Sequence, residues 1–425
     1  MAKVITTELQ HSGASGANIT LDSSKNVTCE NNLQVDGNVT VTGTLPADKL
    51  TGNLPAISGA SLTNLPSGGK GKNLFINGAM AVDQRREGAS EDFASSYVWV
   101  VDRFFAQEEG TQNRITVQQV DVAADTDPWN AGFRKAGKIT NGDQNDGPVA
   151  AAGVHLHYKF EAQDIAQSGW DYTSASSYVT FSFWIKSSVA MDIPYYFRSR
   201  DGSARMYSTS TGSLSANTWT KVTKTIPGDT GGLQIDNNND RGLELLLAPY
   251  YGTNGTASGS TLNAWKAWSS SSRWEDVATT WWDEDDATLE FTGFKLEVGN
   301  SATDFDFKTY GDELLKCLRY FYKTSATGAA WKRFYHGRAH DSNTARFMMD
   351  APVPFRTVPS ATYSGNFQTD GGTYTSNPAV EALTSDNRQL CFTTGNSGSG
   401  WSQNDALAYM ASDDTSASIS FSAEL

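Results

Sequence analysis

The sequence has little of several features that decide location and function in other proteins. It has three cysteines among 425 residues, Cys29, Cys317 and Cys391, and none of them forms a C-x-x-C pair. An odd count excludes a complete disulfide framework, so we expect assembly in a reducing cytoplasm. No apolar run approaches the roughly 20 residues that a membrane helix needs, so no membrane insertion is expected. The first residues are largely polar, and no signal peptide is expected.

Positive charge and catalytic motifs are also scarce. The chain has 33 Lys and Arg against 47 Asp and Glu, a formal net charge of −14, and its basic residues are not clustered. Nucleic acids and acidic membranes need clustered Lys and Arg, so both are excluded as partners. The motifs G-x-S-x-G and H-E-x-x-H and a phosphate-binding loop are all missing. We therefore expect no enzyme and no cofactor.

Residues 1–70 differ from the rest of the chain because they contain no Trp, Tyr or Phe. Short apolar pairs recur there between polar turns, and one chain cannot bury such a one-sided stripe alone. We therefore predict an intertwined β-stalk, formed by several copies, in which these pairs face a common axis. The pairs are Ile19 with Leu21, Val27 with Cys29, Leu33 with Val35, and Val39 with Val41.

Residues 73–307 have the pattern of many short strands joined by polar loops. The clearest alternation places Val179, Phe181, Phe183 and Ile185 on one face of a strand. Residues 98–104 are predicted to form a single buried strand. Such spacing indicates an all-β domain, an antiparallel sandwich of jelly-roll type.

Residues 289–322 join this sandwich to the C-terminal part of the chain. The apolar positions change phase at Gly293, which predicts a β-bulge there. Residues 308–322 are predicted to form a short linking helix, with helical spacing from 311 to 322. Residues 323–425 again have the pattern of short strands, so we predict a C-terminal β-sandwich, called the tip here.

The run KLEVGNSATDFDFKTYGDELLKCLRYF, residues 295–321, resembles a segment of tail-fibre and tail-appendage proteins of tailed bacteriophages. There a last sandwich strand with LE-x-G precedes a helix and a C-terminal tip domain. The order of strands before it is similar to a carbohydrate-binding-module-like jelly roll often found in such proteins. The resemblance implies a homotrimer that attaches to other tail proteins through its N-terminal part and is located in the virion tail.

Tryptophans supply the candidate ligand contacts. Flat aromatic rings stack on the C–H faces of sugars, and polar neighbours bind the hydroxyls. The same rings could instead fill the core or a subunit interface. The candidate carbohydrate-binding residues are Trp265, Trp268, Trp281 and Trp282 in the sandwich and Trp331, Tyr335, His336, Arg338 and Trp401 in the tip.

Three further groups are weighed as metal or catalytic sites. His155 and His157 share one face of a strand, but no third ligand is nearby in sequence, so a surface position is favoured. Residues 236–242 partly resemble a Ca²⁺ loop, but Leu247 stands where a bidentate Glu is needed, and a solvated turn is favoured. The acidic run 283–286 is consecutive on a loop and does not form a catalytic carboxylate pair by itself. No metal site is predicted.

These observations favour an adhesive virion protein. We expect a tail fibre or tail appendage that binds host surface polysaccharide during adsorption through many weak contacts. One alternative is a polysaccharide depolymerase tailspike, and another is a purely structural tail adaptor.

Overall fold

The structure, a computed structural model, describes residues 72–93, 97–110, 115–142, 149–369, 386–395 and 400–425 in full and the backbone of 8–9, 19–21, 27–29 and 379–380. The chain divides into two compact units, Met1–Thr63 and Asn64–Leu425. Throughout the described residues the sheets are antiparallel and the helices are few and short. The predicted all-β class is confirmed.

The first unit contains a small antiparallel sheet with the order β1-β2-β3. Its strands are β1 (Glu8–Leu9), β2 (Ile19–Leu21) and β3 (Val27–Cys29). Two of the predicted apolar pairs therefore lie in strands. The other two pairs, Leu33 with Val35 and Val39 with Val41, lie outside the described residues. The intertwined, multi-chain form of the stalk remains a prediction.

The second unit begins with two packed sheets. Their strands are β4 (Glu91–Asp92), β5 (Val98–Val101), β6 (Phe104–Glu109), β7 (Thr116–Asp121), β8 (Lys135–Thr140), β9 (Gly153–Glu161), β10 (Tyr178–Ser187), β11 (Met191–Ser199), β12 (Arg205–Leu214), β13 (Thr220–Pro227), β14 (Arg241–Tyr251), β15 (Trp265–Ala267) and β16 (Thr288–Val298). Three short helices interrupt them, α1 (Asp127–Asn130), α2 (Ala162–Ala166) and α3 (Thr280–Asp283).

One sheet has six strands in the order β13-β10-β16-β8-β7-β4, and the other has seven in the order β15-β12-β11-β14-β9-β6-β5. The predicted inward residues of β10 are 0–2% exposed, as the alternation indicated. Phe181 of the six-stranded sheet lies edge-on to Phe197 of the seven-stranded sheet, with ring centroids 5.1 Å apart. The core of the sandwich is therefore formed by apolar side chains from both sheets.

The prediction of one strand over residues 98–104 is wrong. The chain turns at Asp102 and Arg103, and β5 pairs back onto β6 as an antiparallel hairpin. Arg103 has a φ of 73°, a left-handed conformation that a continuous strand does not contain. The apolar residues on both sides of the turn are buried, which made the two strands look like one in the sequence.

The predicted bulge at Gly293 is confirmed. Along the pair β10–β16, Ser182 is opposite Lys295 whereas Trp184 is opposite Thr292, so two residues of β16 face one of β10. Gly293 has a φ of 70°, which is accessible to glycine and costly for other residues. The extra residue keeps Phe291 and Phe294 both in the core, at 0% exposure.

We expect Gly293→Ala to lower the free energy of unfolding by roughly 1–2 kcal/mol, because an L-residue is strained in the left-handed region. A Cβ at this position would also come within 2.8 Å of Phe133 Cζ. Gly311→Ala is the matched control, since a Cβ there meets nothing within 4 Å and alanine favours a helix. Chemical denaturation of both variants measures the difference. Equal stability of the two variants would contradict the account of the bulge.

The linking helix is shorter than predicted. Helix α4 (Tyr310–Leu318) begins after Thr309, whose hydroxyl accepts a hydrogen bond from the Asp312 amide at 3.2 Å. It ends at Leu318, and the chain is already in a strand at Phe321. Residues 319–322 were predicted as helix because their apolar positions continue the helical spacing, but tertiary contacts hold them outside it.

The tip has a small core of its own between two sheets. A three-stranded sheet has the order β17-β25-β20, and a six-stranded sheet has the order β21-β24-β18-β19-β23-β22. The strands are β17 (Phe321–Ser325), β18 (Arg333–Ala339), β19 (Thr344–Asp350), β20 (Ser360–Ser364), β21 (Phe367–Thr369), β22 (Ala379–Val380), β23 (Gln389–Gly395), β24 (Ala406–Ala411) and β25 (Ser418–Ser422).

Ion pairs with a buried carboxylate attach both the linking segment and the tip to the sandwich. Glu161, at the end of β9, accepts hydrogen bonds from Arg319 at 2.7 and 2.8 Å and from the Tyr320 hydroxyl at 2.5 Å. Glu424, after the last strand, pairs with Arg85 at 3.1 Å and also with Arg103. The two parts are therefore held in one orientation by charge-assisted hydrogen bonds.

Candidate functional site

Three of the candidate tryptophans are core residues. Trp281 and Trp282 are 0% and 3% exposed and pack in the core of the sandwich, and Trp401 is 8% exposed in the core of the tip. Their rings are covered by the protein itself and have no face for a ligand. This corrects their assignment as candidate ligand contacts and agrees with the alternative of core-filling rings.

The other two candidate rings of the sandwich are half-buried and already occupied. The Trp265 indole nitrogen donates to the Pro227 carbonyl at 2.7 Å. The Arg198 guanidinium carbon lies 3.7 Å from the centroid of the Trp268 ring. Trp268 therefore holds a cation in place at the edge of the seven-stranded sheet rather than offering a free ring face.

The candidate residues of the tip fall on different surfaces. Trp331 is 51% exposed in the turn before β18, and His336 and Arg338 are exposed on that strand. Tyr335 instead packs towards the core, with its ring centroid 5.1 Å from that of Phe392. Side chains two apart share a strand face, so the structure groups His336 with Arg338 and separates Tyr335 from them.

The outer face of the seven-stranded sheet, away from the core, is rich in polar side chains. On β9, His155, His157 and Lys159 alternate with apolar residues that enter the core. The predicted surface position of the two histidines is wrong, since they are 0% and 8% exposed. His155 stacks on Tyr251 with ring centroids 4.7 Å apart, and His157 stacks on Phe105 at the same distance.

A pocket of about 260 Å³ opens on this face. Its side chains come from the adjacent strands β6, β9, β14 and β11, from Tyr97 beside β5, and from the loop that carries Arg273. The volume lies just below the about 300–1,000 Å³ of ordinary ligand pockets, so the site suits a small ligand or one unit of a longer chain. We call it the sheet-face pocket.

One wall of the sheet-face pocket is aromatic. Tyr97 is 52% exposed, and its ring centroid lies 5.7 Å from that of Phe105 and 6.0 Å from that of Trp99. Phe105 in turn stacks on His157. These contacts fix the ring of Tyr97 from one side and leave about half of its surface open to solvent.

The rest of the pocket is strongly polar. Glu244 is contacted by Arg198 and Arg200, each at 3.4 Å, and by Arg241 at 3.3 Å. Burial lowers the pKa of Arg198 and of Arg241, and Glu244 opposes that shift in both. Burial also lowers the pKa of Lys159 to about 8, and the positive charge of Arg241 acts in the same direction. The pocket therefore presents many hydrogen-bond donors in a partly desolvated setting.

Neither a cluster of metal ligands nor a membrane-spanning helix occurs among the residues that the structure describes. Within them, no three His, Cys, Asp or Glu side chains are grouped closely enough to hold a metal ion. In the possible Ca²⁺ loop 236–242, the Asn238 side chain instead accepts a hydrogen bond from the Asp240 amide at 2.9 Å. None of the described helices combines the length and apolar character needed to cross a bilayer.

The residues of the sheet-face pocket were missed by sequence reasoning. Several of them stand singly among apolar neighbours on a strand, as do His157 and Lys159 on β9. The signal that was present is the alternation itself, since polar residues at every second position of long buried strands mark the outer face. Only the sheet order brings these strands together.

No protein-family model and no curated protein matches this chain. Among solved structures, it is similar to the enzymatically active domain of bacteriophage CBA120 tailspike protein 4, with 9% identity over 49% of this chain and 21% of that chain and a TM-score of 0.27. This chain thus spans about a fifth of that structure. It is also similar to a putative sugar-binding protein from Bacteroides thetaiotaomicron, with 11% identity, coverage of 53% and 99%, and a TM-score of 0.26.

A third similar structure is the family 11 carbohydrate-binding module from Clostridium thermocellum in complex with a β-1,3-1,4-mixed-linked tetrasaccharide. The identity is 12%, the coverage is 50% of this chain and 97% of that one, and the TM-score is 0.23. TM-scores this low do not carry a ligand or an activity over to this chain. Any functional conclusion has to come from the residues of the sheet-face pocket.

Proposed function

We propose that this protein binds a glycan in the sheet-face pocket. The observation that carries the proposal is the pairing of a half-exposed ring, Tyr97, with a floor of guanidinium and carboxylate groups around Glu244. A sugar has apolar C–H faces that stack on a ring and hydroxyls that accept and donate hydrogen bonds. The pocket supplies both kinds of contact within one concave surface.

We further propose that the protein is a virion component, a tail fibre or tail appendage of a tailed bacteriophage that binds host surface polysaccharide during adsorption. The resemblance of residues 295–321 to such proteins supports this. In this proposal the protein is assembled in the host cytoplasm, and its N-terminal part attaches to other tail proteins. It then acts from the virion tail.

A homotrimer is part of the same proposal, because the one-sided apolar pairs of residues 1–70 need partners. Several copies of a weak site raise the effective affinity by roughly 10²–10⁴ without any new contact. Sedimentation at micromolar concentration tests this point. A species with the mass of one chain would remove the trimer from the proposal and leave the pocket unaffected.

We expect Tyr97→Ala to weaken glycan binding about tenfold, since truncating a central aromatic anchor costs more than about 1 kcal/mol. The measurement is binding of the full chain to a glycan array made from bacterial surface oligosaccharides, followed by titration with the best ligand. Tyr363→Ala is the matched control, because Tyr363 is a 38% exposed tyrosine of the tip. Equal affinity of the wild type and Tyr97→Ala would reject the sheet-face pocket.

The predicted tip site is tested in the same titration. Trp331→Ala removes a 51% exposed ring, the most exposed of the candidate tryptophans of the tip. A loss of affinity in Trp331→Ala but not in Tyr97→Ala would move the glycan site to the tip. Absence of glycan binding by the full chain, together with disturbed particle assembly when residues 323–425 are deleted, would favour the structural adaptor.

The depolymerase alternative has one observation in its favour. Glu109 and Glu244 both line the sheet-face pocket, and glycoside hydrolysis uses two carboxyl groups. Both are already engaged: Glu109 accepts a hydrogen bond from the Tyr251 hydroxyl at 3.0 Å, and Glu244 is surrounded by arginines. Release of reducing ends from host polysaccharide, abolished in Glu109→Gln, would establish the enzyme instead of the binding protein.

A further inference from the structure

We infer that the glycan unit held in the sheet-face pocket is anionic and carries a carboxylate or a phosphate group. This inference rests on the proposed function and narrows it to a class of ligand. It follows from the balance of charge in the pocket, from the geometry around Glu244, and from the contrast with the remainder of the chain.

The sheet-face pocket has a surplus of positive charge. Two carboxylates line it, Glu109 and Glu244, against five cations. The whole chain has the opposite balance, with a formal net charge of −14. The cations are Lys159, Arg198, Arg200, Arg241 and Arg273.

Glu244 does not saturate the arginines around it. Its contacts with Arg198, Arg200 and Arg241 are 3.3–3.4 Å long, whereas charge-assisted hydrogen bonds of this kind are about 2.7–2.9 Å. A carboxylate has two oxygens, and three guanidinium groups share them here. Each guanidinium carries five N–H donors, so three groups bring far more donors than these two oxygens can accept.

Two more observations indicate that N–H donors of the pocket arginines lack an acceptor. The Nε atoms of Arg198 and Arg273 are buried and have no hydrogen-bond partner among the described residues. The other carboxylate, Glu109, accepts hydrogen bonds from the Tyr251 hydroxyl at 3.0 Å and from the Gln107 side-chain amide at 3.1 Å. Glu109 is therefore engaged by neutral groups, and Glu244 is the carboxylate of the pocket that pairs with Arg198, Arg200 and Arg241, whereas Lys159 donates to the Leu425 carbonyl.

A purely structural role does not explain this cluster. Like charges brought together on a partly buried surface repel one another and destabilise the fold. The lowered pKa of Lys159 has burial as its first cause, and repulsion from the positive charge of Arg241 adds to it. An anionic ligand would relieve the repulsion, and the planar guanidinium fork matches the two oxygens of a carboxylate or phosphate. A neutral sugar would leave the repulsion in place.

The test uses the full chain on an array with three arms, namely neutral oligosaccharides, oligosaccharides that contain uronic or sialic acids, and phosphorylated oligosaccharides. We expect the protein to bind one of the two acidic sets of oligosaccharides, and the set that it binds identifies the anionic group as a carboxylate or a phosphate. We also expect affinity to fall as salt rises, because exposed charge contacts are screened. Equal binding to matched neutral oligosaccharides would overturn the inference.

The matched variants are Arg200→Gln and Arg388→Gln. Arg200 is 25% exposed at the rim of the pocket, so its loss can be tolerated by the fold, whereas Arg388 is exposed in the tip. We expect at least a tenfold loss of affinity for the acidic ligand in Arg200→Gln, a partial loss in Arg200→Lys and no change in Arg388→Gln. Thermal unfolding checks that each variant is folded. Unchanged affinity in folded Arg200→Gln would overturn the inference.

The outcomes separate the two proposals. Neutral binding that Tyr97→Ala abolishes would keep the sheet-face pocket as a glycan site and reject its anionic ligand. Binding that neither Tyr97→Ala nor Arg200→Gln affects would reject the pocket itself. Absence of binding in all three arms would reject both.

Discussion

Glu424→Gln is expected to lower the free energy of unfolding by about 3–5 kcal/mol, the cost of leaving a buried charge without its partner. That charge is Arg103, which is 2% exposed, pairs with Glu424, and lies with its guanidinium carbon 3.5 Å from the centroid of the Tyr320 ring. Glutamine keeps the size of the side chain but not its charge. Arg85 loses part of its compensation as well, because it pairs with both Glu424 and Asp102.

The control for this prediction is Glu91→Gln. It removes the same charge from an ion pair with Arg86, but the Glu91 side chain is 50% exposed. Exposed pairs contribute about 0–1 kcal/mol, so we expect little change. Thermal and chemical unfolding of both variants gives the comparison. If Glu424→Gln lost no more stability than Glu91→Gln, the ion pair would not be what fixes the tip to the sandwich.

Much of the fold could be predicted because its signals are local. The alternation in β10 placed four residues in the core, and the phase change at Gly293 located a bulge from the order of apolar residues alone. In both cases a strand with one buried face imposes a period of two on its own sequence. A break in that period then has a local cause, which a sequence displays directly.

The errors arose where a long-range contact decides the local structure. The helical spacing continues past Leu318, yet Arg319 and Tyr320 leave the helix to contact Glu161, which is more than 150 positions earlier in the chain. The turn at Arg103 is likewise held by its pairing with Glu424 and by a hydrogen bond to the Lys159 carbonyl at 2.6 Å. No window of neighbouring residues contains these partners.

The candidate site was hard to predict for a related reason. The tryptophan-rich segment gave the strongest local signal for a carbohydrate site, but large rings are equally typical of a protein core. Trp274, Trp281 and Trp282 are in fact core residues, at 0–3% exposure. The sheet-face pocket is instead assembled from single polar residues on strands that are distant in sequence and adjacent only in the sheet. Its residues carry no shared motif, so the sheet order was needed to find them.

Residues that carry the resemblance to tail fibres have structural roles here. Glu297 accepts hydrogen bonds from the amide and the hydroxyl of Thr303 at 2.8 and 2.6 Å, which fixes the turn after β16. Arg319 and Tyr320 hold Glu161, and Cys317 is fully buried. The segment therefore connects the sandwich to the tip, and the ligand-binding residues are expected outside it.

The buried histidines beside the pocket are expected to make the protein sensitive to acid. Burial lowers the pKa of His155 to about 3, and the nearby Arg273 acts in the same direction. The pKa of His157 is also lowered, first by burial and then by His155. In the unfolded chain a histidine has a pKa of about 6.5, so as the pH falls below that value the unfolded state takes up a proton that the folded state does not.

The sign follows from this difference. His155 leaves stability unaffected above about pH 6.5 and reduces it by about 1.4 kcal/mol per pH unit from there down to its folded pKa. At pH 5 the reduction from one such histidine is about 2 kcal/mol, and His157 adds a loss in the same direction. The protein should therefore unfold far more readily at pH 5 than at pH 7.5.

The variant His155→Leu isolates this effect, because leucine fills an apolar site and does not titrate. Its stability at pH 7.5 is expected to fall, since it loses the stacking on Tyr251. The decisive quantity is the difference in unfolding free energy between pH 7.5 and pH 5, which should shrink by about 2 kcal/mol relative to the wild type. His336→Gln, at an exposed histidine of the tip, is expected to leave that difference as it is. The carboxylates titrate in the same way in all three proteins, so they do not affect this comparison. If the pH difference were unchanged in His155→Leu, His155 would have to accept a proton in the folded state. The outer face of the sheet would then be open to water at His155.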